Sequence, residues 1–190
     1  LFRPNLFMQV VSCTTNWLDS WTVHLDGAVV FLKQTAFSQG FKSKNYRAQL
    51  QFYFASIIRY FLTQGNFPVD LADWSLEFFS PAPEDLPAVY LIDIFTRIVK
   101  LHSSIFQCPA PEPADVICAA LQLDAELDEW EAHLPAKWSP VMRISNDLQL
   151  TFYGKYHVYN DMWAARILNH YRWGRLYVNE MILLHVSKLE

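Results

Sequence analysis

The sequence predicts an all-α fold: an irregular bundle of about five main helices with no β-sheet. Of the 190 residues, 52% are hydrophobic and 16% are aromatic, which is enough apolar surface for one large core. Apolar side chains recur every three and four positions, which is the period of an α-helix. Five glycines and ten prolines leave few turn residues for a β-sandwich. We therefore expect residues 1–190 to form a single helical domain, as a fragment of a longer protein.

The first two helices are predicted from their apolar spacing. The first should begin near residue 15, on a stripe formed by Trp17, Trp21, His24, Ala28 and Phe31. The second should run from about Tyr46 to Thr63, with an apolar face formed by Leu50, Tyr53, Phe54, Ile57 and Phe61. Gly65, followed by Pro68, should end it.

The third and fourth helices have the same kind of pattern. The third should start near Leu86, with a face formed by Val89, Ile92, Phe95, Val99 and His102. The fourth follows a 4,3,4,3,4 rhythm through Val116, Ala120, Leu123, Leu127, Trp130 and Leu134. Pro135 should end the fourth helix. The acidic residues from Asp124 to Glu131 are interpreted as a solvated face.

A last long helix should begin between Leu148 and Phe152. Its aromatic side is expected to carry Tyr156, Tyr159, Trp163, His170, Tyr177, Met181 and Leu184. Gly174 should either bend this helix or admit a neighbour.

Composition excludes several classes of function. The net charge of −4 and the pI of about 5.8 do not suit a domain that holds nucleic acid by itself. The three cysteines lie far apart and no secretory signal opens the chain, so we expect a reduced, intracellular protein. No run of about 18 apolar residues occurs, so no membrane span is expected.

Motifs for catalysis and metal binding are absent from the sequence. A binuclear zinc cluster needs six thiolates, and a structural zinc finger needs four ligands at short spacings. The six histidines include no His-Glu-x-x-His pair. Phosphate-binding glycine loops, a nucleophile elbow and an Asp-Asp-x-x-Asp motif are also missing. We therefore predict no catalytic residue, no metal site and no cofactor in this chain.

Polar and aromatic residues on the apolar stripes have two interpretations each. His24, Asn169 and Arg172 are expected to form structural hydrogen bonds, although Asn169 and Arg172 could instead clamp an acidic effector. The aromatic side of the last helix is interpreted mainly as core. If part of it lines an effector pocket, Tyr159, Trp163 and His170 are the candidates.

Three stretches together resemble the middle regulatory region of fungal zinc-cluster transcription factors. The first, Trp21 to Ala28, is similar to that family's "W-x-x-H-x-x-G-A" segment. The second resembles "L-x-x-W…L-P…W" and comprises Leu127 to Trp130, Leu134-Pro135 and Trp138. The third resembles "Y-x-x-Y…N-x-Y-R" and comprises Tyr156 to Asp161 and Asn169 to Arg172. Their order and rough spacing match from about residue 16 to 187.

The resemblance implies a nuclear protein that controls transcription by RNA polymerase II. DNA contact would be made by a separate N-terminal cluster of six cysteines, which would hold the zinc. The helical region would control activation through coregulator proteins, a small-molecule effector or self-inhibition. The family defines no catalytic residues in this region.

The leading hypothesis is thus a non-enzymatic regulatory domain that responds to an effector or a coregulator. Two alternatives stay open. The first is a helical scaffold or homodimerisation module without a ligand. The second is a small helical enzyme that acts on an apolar substrate.

Overall fold

The chain was analysed as a computed structural model. The structure describes Val23, Gly27, residues 46–63 and residues 82–189 apart from 108, 148, 150 and 152. The chain divides into two compact units, Leu1–Pro81 and Ala82–Glu190. The single-domain expectation stays a prediction. Most of the first predicted helix, including His24, lies outside the described residues, although Val23 and Gly27 are both helical.

Helix α1 (Tyr46–Thr63) is the described helix of the first unit, and its bounds confirm the prediction. All five residues of its predicted apolar face are buried. Tyr60 is buried as well, and its ring meets that of Phe61 edge to face at 5.1 Å between centroids. The buried hydroxyl of Ser56 donates to the carbonyl of Phe52 at 2.9 Å, so the helix satisfies this polar group internally.

The second unit contains three helices and a hairpin. Its elements are a 3₁₀ turn (Pro83–Asp85), α2 (Leu86–Ile105), α3 (Pro113–Ala132), a 3₁₀ turn (Ala136–Trp138), β1 (Val141–Ile144), β2 (Lys155–Val158) and α4 (Met162–Val186). Helix α3 packs against both α2 and α4, and α2 also contacts α4. The described part of the chain is therefore mostly helical, with four helices and one two-stranded sheet.

The sheet corrects the prediction of an all-α fold without strands. Strands β1 and β2 pair antiparallel, with Val141 opposite Val158 and Ile144 opposite Lys155. Tyr153 and Gly154, directly before β2, have positive φ angles of 51° and 73°, a conformation that glycine adopts without steric cost. All eight strand residues are exposed, so burial leaves no alternating apolar pattern for sequence analysis to detect.

The last helix begins later than predicted, at Met162 rather than between Leu148 and Phe152. Asp161 caps its start, because the Asp161 carboxylate accepts a hydrogen bond from the backbone N–H of Ala164 at 2.6 Å. The residues expected to form its first turns belong instead to the hairpin.

The predicted apolar faces of α2 and α3 are confirmed. Every predicted face residue of α2 is buried, and so is every one of α3 except Leu134, which lies beyond the end of the helix and is half-buried. Both helices place one apolar side chain on each turn toward the core, so their period alone identifies the face.

The predicted face of α4 is confirmed only in part, since four of its members are half-buried: Tyr159, Trp163, His170 and Tyr177. Seven of its eight buried positions follow a 3,4,3,4,3,4 spacing through Ala164, Ile167, Tyr171, Gly174, Val178, Met181 and His185, and Leu168 is the eighth. Of the predicted aromatic side, Met181 is buried, whereas Tyr156 and Leu184 are exposed. The buried line includes small residues, which let the neighbouring helices approach closely.

Gly174 admits a neighbour, as one of its two predicted roles required. A Cβ at this position would lie 2.7 Å from Cζ of Phe95 on α2. Phe95 is fully buried, and its ring stacks on that of Trp173 at 5.7 Å between centroids. The ring therefore has little freedom to move away.

We expect Gly174→Ala to destabilise the protein by about 1–2 kcal/mol. Alanine favours a helix over glycine by about 1 kcal/mol, but the clash with Phe95 should cost about 2–3 kcal/mol. Urea unfolding followed by circular dichroism measures the difference. As a control, the same substitution in a Phe95→Leu background should cost less, since leucine vacates the space. Equal costs in the two backgrounds would contradict the contact.

Candidate functional site

Three tryptophans hold the start of α2. The indole N–H of Trp130 donates to the carbonyl of Pro87 at 2.7 Å, and that of Trp138 donates to the carbonyl of Glu84 at 3.1 Å. Trp163 acts on the Asp85 side chain between these two carbonyls and lowers its pKa. These tryptophans come from α3, from the 3₁₀ turn after it and from α4. We call this arrangement the tryptophan clamp.

Asp85 is a buried carboxyl group inside the tryptophan clamp, with 1% of its surface exposed. Burial raises its pKa above the ordinary value. Trp163 and the charge of Lys137 oppose that rise, whereas the charge of Asp161 adds to it. Trp163 and the nearby Lys137 cation thus offset part of the cost of burying this acid.

A groove of about 500 Å³ lies beside the clamp, between the first half of α2 and the second half of α3. We call it the α2–α3 groove. Its apolar lining comprises Pro83, Leu86, Pro87, Tyr90, Ile94, Trp130, Leu134 and Pro135. Its polar lining comprises Asp93, Arg97, Glu126, Glu129 and His133. The volume falls within the range of known ligand sites.

Arg97 organises the polar end of the α2–α3 groove. Its guanidinium donates to the Asp93 carboxylate at 3.1 Å and to Oε1 of Glu126 at 2.8 Å. The pKa of Glu126 is held below its ordinary value, chiefly by the hydrogen bond from Arg97. The pKa of Arg97 rises for the same reason. Both shifts favour the ion pair, so the two helices are joined by a charged contact at this end.

Sequence analysis did not identify the α2–α3 groove. Three lining residues lie off the buried stripe of α2: Tyr90, Asp93 and Arg97. From the sequence, Glu126 is expected on the solvated face of α3. The three- and four-residue spacing of Tyr90, Asp93 and Arg97 places them on one side of α2. That spacing was a signal in the sequence, but it does not reveal which helix lies opposite.

The predicted pocket residues lie elsewhere in the second unit. Tyr159 precedes α4, Trp163 belongs to its first turn and His170 lies two turns further on. None of the three lines the α2–α3 groove. An effector pocket at Tyr159, Trp163 and His170 therefore stays a prediction.

Two residues of the predicted polar network do meet one of these pocket candidates. Nη1 of Arg172 donates to the hydroxyl of Tyr159 at 2.7 Å and to Oδ1 of Asn169 at 2.9 Å. The guanidinium carbon also lies 5.8 Å from the centre of the Tyr159 ring. The third stretch of the resemblance thus joins the segment before α4 to its first turns. His24, the remaining member of the predicted network, lies outside the described residues.

The acidic run of α3 is not a solvated face along its whole length. The guanidinium of Arg175 on α4 forms ion pairs with Asp128 and, at 2.8 Å, with Asp124. The hydroxyl of Tyr171 donates to Glu131 at 2.7 Å, and Asn179 donates to Asp124 at 2.9 Å. Three carboxylates of the run therefore bind α4, which corrects the interpretation from sequence.

Tyr171 joins apolar and polar packing at the same interface. Its buried ring stacks on Trp130 at 5.1 Å between centroids. Burial, followed by the hydrogen bond to Glu131, raises the pKa of Tyr171 above its ordinary value. The phenol therefore stays protonated and acts as a donor to the carboxylate.

Within residues 46–63 and the described part of 82–189, no group of three or more His, Cys, Asp or Glu side chains is placed to hold a metal ion. Among the helices that the structure describes, none combines the length and the apolar character that crossing a membrane requires. The expectation of no metal or cofactor in this chain stays a prediction.

Comparison with known proteins gives no relative. No protein family, curated protein or solved structure matches the chain.

We expect the stability of the protein to fall as the pH is lowered, in part through His170. Burial, helped by the charge of Arg166, lowers the pKa of His170 from 6.5 to about 4. Between these values the unfolded chain takes up a proton that the folded chain does not, so acid favours unfolding. The loss should be about 2 kcal/mol at pH 5. Urea unfolding between pH 7.5 and pH 5 measures it.

His170→Gln should make that pH dependence shallower, because glutamine does not titrate. The range ends at pH 5 so that Glu126, whose pKa is lowered, stays ionised in the folded protein. His157→Gln, at an exposed position on β2, is the matched loss of one histidine. Equal pH dependence in the wild type and His170→Gln would contradict the role of His170.

Proposed function

We propose that this chain is part of the regulatory region of a fungal zinc-cluster transcription factor. In this proposal the protein acts in the nucleus on transcription by RNA polymerase II, and DNA is bound by a separate zinc-containing domain. The helical units catalyse no reaction. They receive a coregulator protein or a small-molecule effector, which shifts the population between repressed and active forms.

One observation carries the proposal: residues from the second stretch of the resemblance are buried and hold the start of α2. Trp130 and Trp138 both donate to backbone carbonyls at the start of α2, although 43 and 54 residues separate each donor from its acceptor. Leu127, from the same stretch, is fully buried. A segment in which Leu127, Trp130 and Trp138 all serve packing suits a region that lacks catalytic residues.

The α2–α3 groove supports the effector or coregulator part of the proposal. A regulatory region needs a surface whose occupancy can change its state, since a ligand shifts an equilibrium only through different contacts with the two forms. The groove lies against the tryptophan clamp, because Trp130 and Pro87 contribute to both. Binding in the groove would therefore bear directly on the start of α2.

We expect the chain to change transcription when it is tethered to DNA through an unrelated DNA-binding domain in fungal cells. An effector or coregulator that couples at the usual 1–3 kcal/mol should change reporter output roughly fivefold or more, in either direction. The DNA-binding domain alone gives the baseline. Reporter output equal to that baseline, with the fusion shown to be expressed and nuclear, would contradict the proposal.

A small-molecule effector, as opposed to a coregulator, should raise the thermal stability of the purified chain. A ligand at 100 times its dissociation constant contributes about 2.7 kcal/mol. A thermal-shift measurement across a panel of metabolites detects such a gain. Reporter activity without any thermal shift would assign the regulation to protein partners.

A homodimerisation module is the second candidate function, and the exposed side of α4 favours it. Leu176 and Leu183 lie seven residues apart, with 72% and 71% of their surfaces exposed. Met162, fourteen residues before Leu176, is exposed on the same side. Leucines at heptad spacing are a common feature of helices that pair with a second helix.

Light scattering over a concentration series tests this second candidate. A dimerisation module should double in mass as concentration rises, and Leu176→Glu with Leu183→Glu should keep it monomeric. Leu121→Glu, an exposed leucine on α3, is the matched control and should leave the mass unchanged. A monomer at every concentration would eliminate the candidate.

A further inference from the structure

We propose that the α2–α3 groove binds an amphipathic helical segment of a partner protein, in which a Lys or Arg accompanies the apolar anchor side chains. This inference rests on the proposed function, because it specifies the chemistry of the coregulator that the regulatory region would receive. It follows from the length, the lining and the charge of the groove.

The lining of the groove includes residues from three successive turns of α2. Its α2 wall is formed at helical spacing by Leu86, Tyr90, Ile94 and Arg97. From Leu86 to Arg97 this wall is about 16 Å long, at 1.5 Å per residue. About three turns of a partner helix match that length, and its side chains at positions i, i+3 or i+4, and i+7 would point into the groove.

The lining of the groove offers apolar contact along its length. Ile94 and Trp130 are buried, and Leu86 and Leu134 are half-buried. Tyr90 stands at the side with 57% of its surface exposed. An exposed aromatic side chain next to a buried apolar floor is typical of the residues that dominate binding energy at protein interfaces.

The charge of the groove selects a basic partner. Three carboxylates line it, from Asp93, Glu126 and Glu129, against the single guanidinium of Arg97. His133 and Tyr90 are the other titratable lining residues. Arg97 is engaged by Asp93 and Glu126, and the side chain of Glu129 is exposed. The excess of negative charge attracts Lys or Arg and repels an acidic segment.

A selection with a random peptide library tests the chemistry directly. Phage-displayed peptides of about twelve residues, long enough for three helical turns, are selected on the intact purified chain. The enriched sequences should combine apolar residues at helical spacing with Lys or Arg. The affinity of the most enriched peptide, synthesised and measured by fluorescence anisotropy, should fall as salt is added.

Two variants then locate the binding site. Glu129→Lys reverses an exposed charge and should weaken the basic peptide roughly threefold to tenfold. Tyr90→Ala should weaken it roughly tenfold or more by removing an aromatic anchor. Glu180→Lys is the matched charge reversal, at an exposed position of α4 that does not line the groove. It should leave the affinity almost unchanged. Circular dichroism verifies that each variant is folded.

Several results would overturn the inference. Enrichment of acidic or uncharged peptides would remove the charge argument, and equal weakening by Glu129→Lys and Glu180→Lys would place binding elsewhere. Failure to enrich any peptide would reject a helical segment as the occupant. In each case a reporter that still responds to the tethered chain would leave the proposed function standing, so the two failures can be told apart.

Discussion

The second unit depends on how the start of α2 is fixed. The backbone carbonyls of Glu84 and Pro87 receive two indole N–H donors, and Trp163 acts on the Asp85 carboxyl that lies between them. Because the tryptophans come from three separate elements, these contacts tie α3, the turn after it and α4 to one short segment. Removal of a partner from a buried polar group costs about 1–3 kcal/mol. The clamp therefore sets where α2 begins, and with it one end of the α2–α3 groove.

Close approach of α2 to α4 is the second constraint. Gly174 leaves room for the ring of Phe95, which in turn stacks on Trp173. Further along the same pair of helices, the hydroxyl of Tyr177 lies 3.0 Å from Nε2 of His102. Burial lowers the pKa of His102, so its neutral form is favoured at this position. A glycine thus determines the helix spacing at which the aromatic and polar contacts of this interface form.

Much of the fold could be predicted from the sequence, because α1, α2 and α3 each place one apolar side chain per turn toward the core. Helix α4 was harder to predict. Its aromatic residues suggest one core-facing side, but its buried line includes the small residues Ala164 and Gly174, whose burial depends on the partner helix. The hairpin was missed because none of its strand residues is buried. The α2–α3 groove was missed because the pairing of Arg97 with Glu126 spans 29 residues and no local pattern encodes it.

The acidic run of α3 shows how packing determines what its charges do. Asp124, Asp128 and Glu131 recur every three to four residues and face α4, where Arg175, Tyr171 and Asn179 bind them. Glu126 faces α2, where it is bound by Arg97. Glu129 remains exposed at the side of the groove.

The ion pairs of α3 are partly exposed, and such a pair contributes only about 1 kcal/mol or less to stability. These pairs therefore fix the register of the helices more than they stabilise them. Some carboxylates of α3 thus bind the neighbouring helices, whereas Glu129 contributes to the negative charge of the α2–α3 groove.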